Sequence, residues 1–211
     1  MTSPSGQNVV LSSGPYEAHV VEVGGGLRTL TRGGLDVVEG YGPDEMCSGG
    51  RGQLLAPWPN RIEEGQYDFG GRSLQLPLSE ASARNAIHGL VRWAPWRLDG
   101  ASESTAQWSY RLHPQPGYPF TLDLTVAYDL SADGLRLTFS AANSGDSPAP
   151  YGLGAHPYLT VGRQVDDCIL DLPAAQYCTV DARGLPGPLQ PVDGTPYDFR
   201  TPRPVGPTKL D

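Results

Sequence analysis

The sequence predicts an all-β fold built from antiparallel strands. Apolar and polar residues alternate over residues 122–130, and this period of two places one apolar face on a strand. The Asp133-Gly134 pair that follows favours a tight hairpin turn. A second alternating run, over residues 135–139, completes the hairpin. No segment repeats apolar residues at helical spacing over three turns, so long amphipathic helices are not expected.

Both strands of this hairpin should bury one face against a core. The residues expected on that face are Leu122, Leu124, Val126, Leu135, Leu137 and Phe139. Similar short runs, separated by turn residues, occur at residues 17–23, 35–38, 67–69, 74–76, 107–112 and 169–172. With 27 glycines and 21 prolines, the chain has the turn residues that such a series requires. Short strands at these intervals are typical of an antiparallel sandwich or barrel.

Length and composition argue against several classes of protein. At 211 residues, the chain is long enough for a substantial core, and we expect a single domain over residues 1–211. The net charge of −8 and the presence of only one lysine, Lys209, disfavour both nucleic acid and an anionic membrane as partners. No apolar run reaches the length of a membrane span.

The remaining compositional signals concern compartment and cofactors. Three cysteines without CxxC spacing favour reduced thiols, and together with an N-terminus unlike a signal peptide they predict a cytoplasmic protein. The glycine motifs of nucleotide-binding loops and the GxSxG motif of serine hydrolases are absent. No two histidines have metal-site spacing. We therefore expect neither a metal nor another cofactor.

Three motifs carry the functional signal. They are PWPNRI at residues 57–62, NAIHGLVR at residues 85–92, which contains His88, and GAHPYL at residues 154–159, which contains His156. In this order they resemble the aldose 1-epimerase family, also called the galactose mutarotases. The resemblance runs from about residue 54 to the end of the chain. It implies an antiparallel β-supersandwich of the galactose mutarotase type, incomplete at the C-terminus, and a role in carbohydrate metabolism.

Interconversion of two sugar anomers requires two proton transfers. A base removes the proton of the C1 hydroxyl while an acid protonates the ring oxygen, and the open aldehyde then rotates and closes on its other face. Histidine suits such work because its ordinary pKa of about 6.5 makes both protonation states accessible. The resemblance implies that His156 is the acid and that His88 donates a hydrogen bond near C1 or the ring oxygen. For each histidine the alternative is a structural role, in a turn or in the core.

The resemblance also implies residues that bind the sugar. It places Arg61, together with Asn60 beside it, at the substrate. A guanidinium has five donors in a fixed plane, which suits it to bridge sugar hydroxyls or a carboxylate. An ion pair of Arg61 with Glu63 or Glu64 is the alternative. Asp211 is similar to the opening of a sugar-binding strand motif of the family, although a terminal residue is often disordered.

Tryptophans are further candidates for the sugar site. Trp58, Trp93 and Trp96 could each offer a flat apolar surface to the C–H face of a pyranose, and we assign this role to Trp58. Tryptophans more often belong to the core, with the indole N–H bound to an acceptor. At most one of the three is therefore expected to contact sugar.

The general base is the missing part of the predicted site. In the family it is a glutamate near the C-terminus, whereas every acidic residue after His156 is an aspartate, and none lies in a motif that matches that of the base. We therefore expect the base beyond Asp211. A phosphorylated sugar would require basic groups at the cleft, and Arg84 and Arg92 flank His88.

Three functions remain open at this point. The first is an aldose 1-epimerase-like isomerase that acts on galactose, glucose or a phosphorylated hexose. The second is a non-catalytic carbohydrate-binding protein that uses the same cleft. The third is the sandwich domain of a larger glycoside-active enzyme with paired carboxylates elsewhere. The two histidine motifs favour the first, and the sequence leaves the oligomeric state open.

Overall fold

The computed structural model describes residues 3–210, and these residues form an almost entirely β structure. This confirms the predicted fold class. In the described part of the chain the helical elements are two 3-10 helices, Ala81–Ala83 and Val165–Asp167. The strands are β1 (Asn8–Ser13), β2 (Tyr16–Val21), β3 (Leu27–Arg32), β4 (Leu35–Val38), β5 (Leu54–Leu55), β6 (Arg61–Glu63), β7 (Gln66–Phe69), β8 (Arg72–Gln75), β9 (Asn85–Ile87), β10 (Arg97–Ala101), β11 (Thr105–Leu112), β12 (Leu122–Ser131), β13 (Gly134–Asn143), β14 (Gly154–Ala155), β15 (Ile169–Leu170), β16 (Gln176–Val180), β17 (Pro186–Pro191) and β18 (Arg203–Pro204).

The chain divides into two compact units, Met1–Leu159 and Thr160–Asp211. The first unit contains β1 to β14 and all three sequence motifs, and the second contains β15 to β18. The expectation of one domain over the whole chain stays a prediction. Within residues 3–210, no helix has the length and apolar character needed to cross a membrane.

Two four-stranded antiparallel sheets form the body of the first unit. One has the order β1-β2-β3-β4 and the other the order β10-β11-β12-β13. Strands β1 and β2 contact β11 and β12, so the two sheets face each other across the core. Side chains from both sheets fill the interior, and burial of each large apolar side chain contributes about 1.5–3 kcal/mol.

Strand β12 is the central element of this core. Its even-numbered residues from Leu122 to Leu130 are at most 2% exposed, as the alternating pattern predicted. The hydroxyl of Tyr128 donates a buried 2.6 Å hydrogen bond to the carbonyl of Gly25, which satisfies the polar end of a side chain that is otherwise in the core.

The predicted hairpin is confirmed. Strands β12 and β13 pair antiparallel up to Ser131 opposite Gly134, and Ala132 and Asp133 form the two-residue loop between them. Gly134 has a φ of 123°, a backbone conformation that glycine adopts readily.

The predicted burial of β13 was wrong. Leu137 is 37% exposed, and Leu135 and Phe139 are only partly buried. Leu137 lies opposite Tyr128 and so faces the same side of the sheet, as the alternation required. However, β13 is the last strand of its sheet, while β1 and β2 pack on β11 and β12. Its apolar face therefore lies at the margin of the core rather than inside it.

Two-stranded sheets position the motif residues of the first unit. Strand β5 pairs with β14, and β6 pairs with β9, in both cases antiparallel. These pairings bring together segments that are far apart in sequence. The first motif spans the connection from β5 to β6, the second begins in β9, and the third begins in β14.

The second unit is smaller and built from two antiparallel pairs, β15 with β18 and β16 with β17. Its buried apolar residues are Val192, Phe199 and Val205. The guanidinium of Arg200 binds Asp193 and Asp198, at 2.8 and 2.6 Å. None of the three motifs lies in this unit.

Candidate active site

The first and second motifs meet through a reciprocal pair of hydrogen bonds. His88 directly follows β9, and Asn60 directly precedes β6. The N–H of His88 donates to the carbonyl of Asn60 at 2.9 Å, and the N–H of Asn60 donates to Nδ1 of the His88 ring at 3.2 Å. Both residues have positive φ, 58° for Asn60 and 62° for His88, so the backbone turns sharply at each strand end. The geometry therefore fixes both the position and the orientation of the His88 ring.

The third motif is attached to the loop that precedes β5. The N–H of His156 donates to the carbonyl of Gln53 at 3.1 Å, and the N–H of Gly52 donates to the carbonyl of His156 at 2.8 Å. A Cβ on Gly154 would lie 2.9 Å from Cβ of Pro59, so glycine permits the close approach of the third motif to the first.

The two histidine rings lie next to each other. Their centroids are 5.3 Å apart and their planes are inclined by 75°, an edge-to-face arrangement. Both side chains are partly buried and retain contact with solvent. The structure thus brings together the two residues on which the sequence-based prediction of a site depended.

The His88 ring is electrically neutral at physiological pH. The pKa of His88 is lowered from 6.5 to about 4, chiefly by burial; the charge of Arg92 and the neighbouring His156 and Arg61 act in the same direction, and Glu80 opposes them. Because Nδ1 accepts a hydrogen bond from Asn60, the single ring proton resides on Nε2. His88 can therefore donate a hydrogen bond through Nε2 without carrying a charge.

Arg61 is held by a carboxylate that the sequence did not suggest. Its Nε and Nη2 donate to the two carboxylate oxygens of Glu80, at 2.8 and 2.9 Å, and Nη1 donates to Oδ1 of Asn60 at 3.4 Å. Asn85 donates a further bond to Glu80 at 3.0 Å. The hydrogen bonds from Arg61 are the main cause of the lowered pKa of Glu80. Of the two partners weighed for Arg61, Glu64 forms an ion pair with Arg84.

Comparison with known proteins identifies the family of the chain. The family profile described as aldose 1-epimerase matches residues 7–211. The chain belongs to the aldose 1-epimerase family. It is 40% identical over 209 residues to the uncharacterized protein YihR of Escherichia coli K12, covering 98% of this chain and 68% of that relative. It is 29% identical over 168 residues to the galactose mutarotase of Mus musculus, covering 74% of this chain and 46% of the mouse protein.

Solved structures confirm the predicted galactose mutarotase type of fold. A GalM/aldose epimerase homologue from C. elegans superimposes with a TM-score of 0.84 at 21% identity, covering 94% of this chain and 65% of that one. Galactose 1-epimerase from Lactobacillus acidophilus gives a TM-score of 0.80 at 24% identity, covering 94% and 62%. At such identities the likeness concerns the fold alone. The chain spans about two thirds of the length of these two structures.

The other predicted site residues of this aldose 1-epimerase family member have different surroundings. Trp58 is partly buried and lines a cavity of about 300 Å³, and the residues that line this cavity do not include Asn60, Arg61 or either histidine of the pair. Trp96 is 2% exposed and donates its indole N–H to the carbonyl of Val91, as a core tryptophan does. Trp93 is 47% exposed. Asp211 lies outside the described residues.

Three residues near His88 and His156 were not predicted from the sequence. The Tyr158 ring lies 5.4 Å from that of His156, and its hydroxyl donates to the carbonyl of Gly49 at 2.9 Å. Gln53 accepts from the His156 backbone, and Glu80 holds Arg61. Tyr158 could have been found, since it stands in the third motif two residues after His156. Gln53 and Glu80 stand outside the motifs.

Proposed function

We propose that this chain carries the sugar-binding and general-acid part of an aldose 1-epimerase site, which interconverts the α and β anomers of a hexose by acid–base ring opening. The observation that supports this best is the pair of adjacent, differently held rings of His88 and His156. One relative of the chain is a galactose mutarotase, and we propose a sugar as the ligand here by analogy with it.

His88 is proposed to position the substrate. Its Nε2–H donates to a sugar oxygen at or beside the ring oxygen, and Asn60 holds the ring in the tautomer that makes this possible. A neutral donor binds the oxygen without transferring its proton, because the neutral imidazole gives up that proton only at very high pH. His88 is therefore suited to orient the reacting bond rather than to act as the acid.

His156 is proposed to be the general acid. When the bond between C1 and the ring oxygen breaks, the imidazolium of His156 gives its proton to that oxygen, and a base takes the proton of the C1 hydroxyl to form the aldehyde. After rotation about C1–C2 the aldehyde is attacked from its other face, and both protons return. Proton transfer by a well-placed acid typically contributes about 10²–10⁴-fold to the rate.

Glu80 is a poor candidate for the base. Its two oxygens accept hydrogen bonds from Arg61 and Asn85, and these bonds hold its pKa below the ordinary range. A carboxylate that is stabilised in its charged form has little tendency to take a proton. We therefore keep the proposal of a glutamate beyond Asp211. The state of Glu80 also favours the second candidate function, a sugar-binding protein without catalysis, for the 211 residues alone.

Polarimetry on freshly dissolved α-D-glucose and α-D-galactose tests the proposal. If the reading frame continues beyond Asp211, the longer protein should accelerate mutarotation far above the rate in buffer. The 211-residue chain should bind aldoses but be nearly inactive. In the longer product, His156→Asn should lower the rate constant by about 10²–10⁴-fold. His88→Asn should lower it less, and His113→Asn, at an exposed position outside the motifs, serves as the control.

Two results would count against this assignment. A longer product that binds aldoses in calorimetry without accelerating mutarotation would favour the binding protein over the isomerase. Full activity of the 211-residue chain would show that the base is already among its own residues. The search would then turn to the aspartates that follow His156.

A further inference from the structure

The charges around the histidine pair are not balanced. Arg61 is neutralised by Glu80, and Arg51 lies 3.5 Å from a carboxylate oxygen of Glu39. Arg92 is also partly buried, but among residues 3–210 no carboxylate lies within ion-pair distance of it. The described surroundings of the site therefore hold one guanidinium in excess.

The backbone of Arg92 is connected to that of His156 through Gln53. The side-chain amide of Gln53 donates to the carbonyl of Arg92 at 3.0 Å, and the carbonyl of Gln53 accepts from the N–H of His156 at 3.1 Å. Arg92 also stands four residues after His88 in the same motif. One glutamine thus connects the segments that carry Arg92 and the candidate acid.

The guanidinium of Arg92 acts electrostatically on the site. After burial, its charge is the largest cause of the lowered pKa of His88, and it also opposes the rise in the pKa of the Cys47 thiol. Burial lowers the pKa of Arg92 itself, because the protonated form loses hydration. A partly buried cation that forms no ion pair is unfavourable, and an anionic group from outside the chain would offset this cost.

We propose that Arg92 binds an anionic substituent of the sugar, so that the preferred ligands of this site are aldoses that carry an oxyanion such as a phosphate or a carboxylate. This inference rests on the proposed function, because it takes the histidine pair as the position of the sugar ring. A guanidinium matches carboxylate and phosphate oxygens with two parallel hydrogen bonds.

The substituent belongs on the exocyclic C6 carbon. If the ring oxygen lies at the histidine pair, the ring carbons nearest to the pair are C1 and C5, which are bonded to that oxygen. C1 must keep its free hydroxyl for the reaction, whereas C5 carries C6. Arg92 is close enough to His88 for its charge to lower the pKa of that ring. C6 is therefore the position at which we propose that the anionic group is attached.

Stacking on a neighbouring ring does not explain the position of Arg92. Its guanidinium carbon lies 5.7 Å from the centroid of Trp93, and Arg32 lies at the same 5.7 Å from the centroid of Tyr16. Arg32 makes this contact as an exposed residue at the end of β3, whereas Arg92 is partly buried beside the site. Arg32 is thus a matched control, with equal charge and equal ring contact outside the site.

Calorimetry on the 211-residue chain tests the inference with glucose, glucose 6-phosphate and glucuronate. At least one of the anionic sugars should bind on the order of 10- to 100-fold more tightly than glucose, since hydrogen bonds to charged groups are the stronger class. The preference should shrink as salt is added. Comparison of the two anionic sugars distinguishes phosphate from carboxylate. Ring-proton NMR shifts of His88 and His156 report whether the sugar is bound at the pair.

Three variants complete the test. Arg92→Gln should bring the ratio of the anionic to the neutral dissociation constant close to one, Arg92→Lys should keep part of the preference, and Arg32→Gln should keep all of it. Thermal unfolding shows whether each variant is folded. Should Arg92→Gln fail to fold, the wild-type preference, its salt dependence and Arg92→Lys still decide the question.

The outcomes separate this inference from the proposed function. If glucose shifts the two histidines and neither anionic sugar binds more tightly, the inference is overturned while the sugar site stands. If Arg92→Gln and Arg32→Gln reduce the preference equally, Arg92 is not the anion-binding residue. If none of the three sugars shifts His88 or His156, the proposed sugar site itself is wrong.

Discussion

Acidification should destabilise the protein through His88. The native pKa of this ring is about 4, whereas in an unfolded chain it would return to 6.5. Between about pH 6.5 and 4 the unfolded state therefore binds more protons than the native state, and the free energy of unfolding decreases as the pH falls. The contribution is complete above pH 6.5 and is lost below about pH 4. The gap corresponds to about 3 kcal/mol for a fully buried ring, and we expect about 1–2 kcal/mol because solvent screens part of the effect.

Urea unfolding of the wild type and His88→Asn at pH 7, 5.5 and 4.5 measures this contribution. Tryptophan fluorescence is a suitable probe, since all four tryptophans lie in the first unit. Asparagine tolerates the positive φ of 62° at this position, so the variant adds little backbone strain. The stability lost by the wild type on acidification should exceed that lost by the variant by about 1–2 kcal/mol. His113→Asn should behave like the wild type.

Equal losses of stability in the wild type and His88→Asn over this range would contradict the prediction, because carboxylates common to both proteins would then account for the whole loss. A His88 ring that titrates near 6.5 in NMR of the native protein would contradict it as well. A midpoint near 4 would support both the buried environment and the neutral Nε2–H tautomer on which the proposed role of His88 depends.

Two substitutions test the contacts that hold the motifs in place. Glu80→Gln should lower the free energy of unfolding, measured in urea, by about 1.5–3 kcal/mol, because it removes the charge that accepts two hydrogen bonds from Arg61. A loss below about 0.5 kcal/mol would mean that the Arg61–Glu80 pair is no stronger than a surface ion pair. Gly89→Ala should lower it by more than about 3 kcal/mol, since Gly89 has a φ of 72° and an added Cβ would lie 2.0 Å from the carbonyl oxygen of Ala56. Gly70 has a φ of 59° and open space around it, so Gly70→Ala should lower the free energy of unfolding by only about 1–2 kcal/mol. Equal losses at the two glycines would show that the contact with Ala56 is not the cause.

The β12–β13 hairpin shows which part of the fold the sequence predicts well. Its turn and its register depend on residues that are close in sequence, so alternation and the Asp133-Gly134 pair were sufficient. The burial of Leu137 could not be predicted in the same way. Alternation determines which face of the sheet a side chain occupies, whereas the packing of the other sheet determines whether that face is covered. The strand order of each sheet follows the sequence, but the contacts of β1 and β2 with β11 and β12 join segments that are distant in sequence.

The candidate site shows the same division. The motifs indicated His88, His156 and Arg61, because a resemblance carries the identity of site residues directly. The ion-pair partners weighed for Arg61 were Glu63 and Glu64, its neighbours in sequence, and the structure shows Glu80 as a partner that the sequence did not indicate. Glu80 reaches Arg61 only because β6 pairs with β9 and the backbone of Glu80 bonds to Asn85, opposite Glu63. Nothing in the local sequence of Glu80 signals that pairing.

Local charge at the site likewise differs from what the whole chain suggests. The net charge of −8 argued against anionic macromolecules as partners, yet the charged groups that act on His88 are chiefly cationic, with Arg92 and Arg61 outweighing Glu80. This excess of positive charge helps to keep His88 neutral. An anionic ligand at Arg92 would offset part of that charge and so raise the pKa of His88 toward its ordinary value. Because the native pKa is about 4, His88 has a wide margin before it would become charged at neutral pH. The proposed anion site and the proposed neutral donor are therefore compatible in one ligand-bound state.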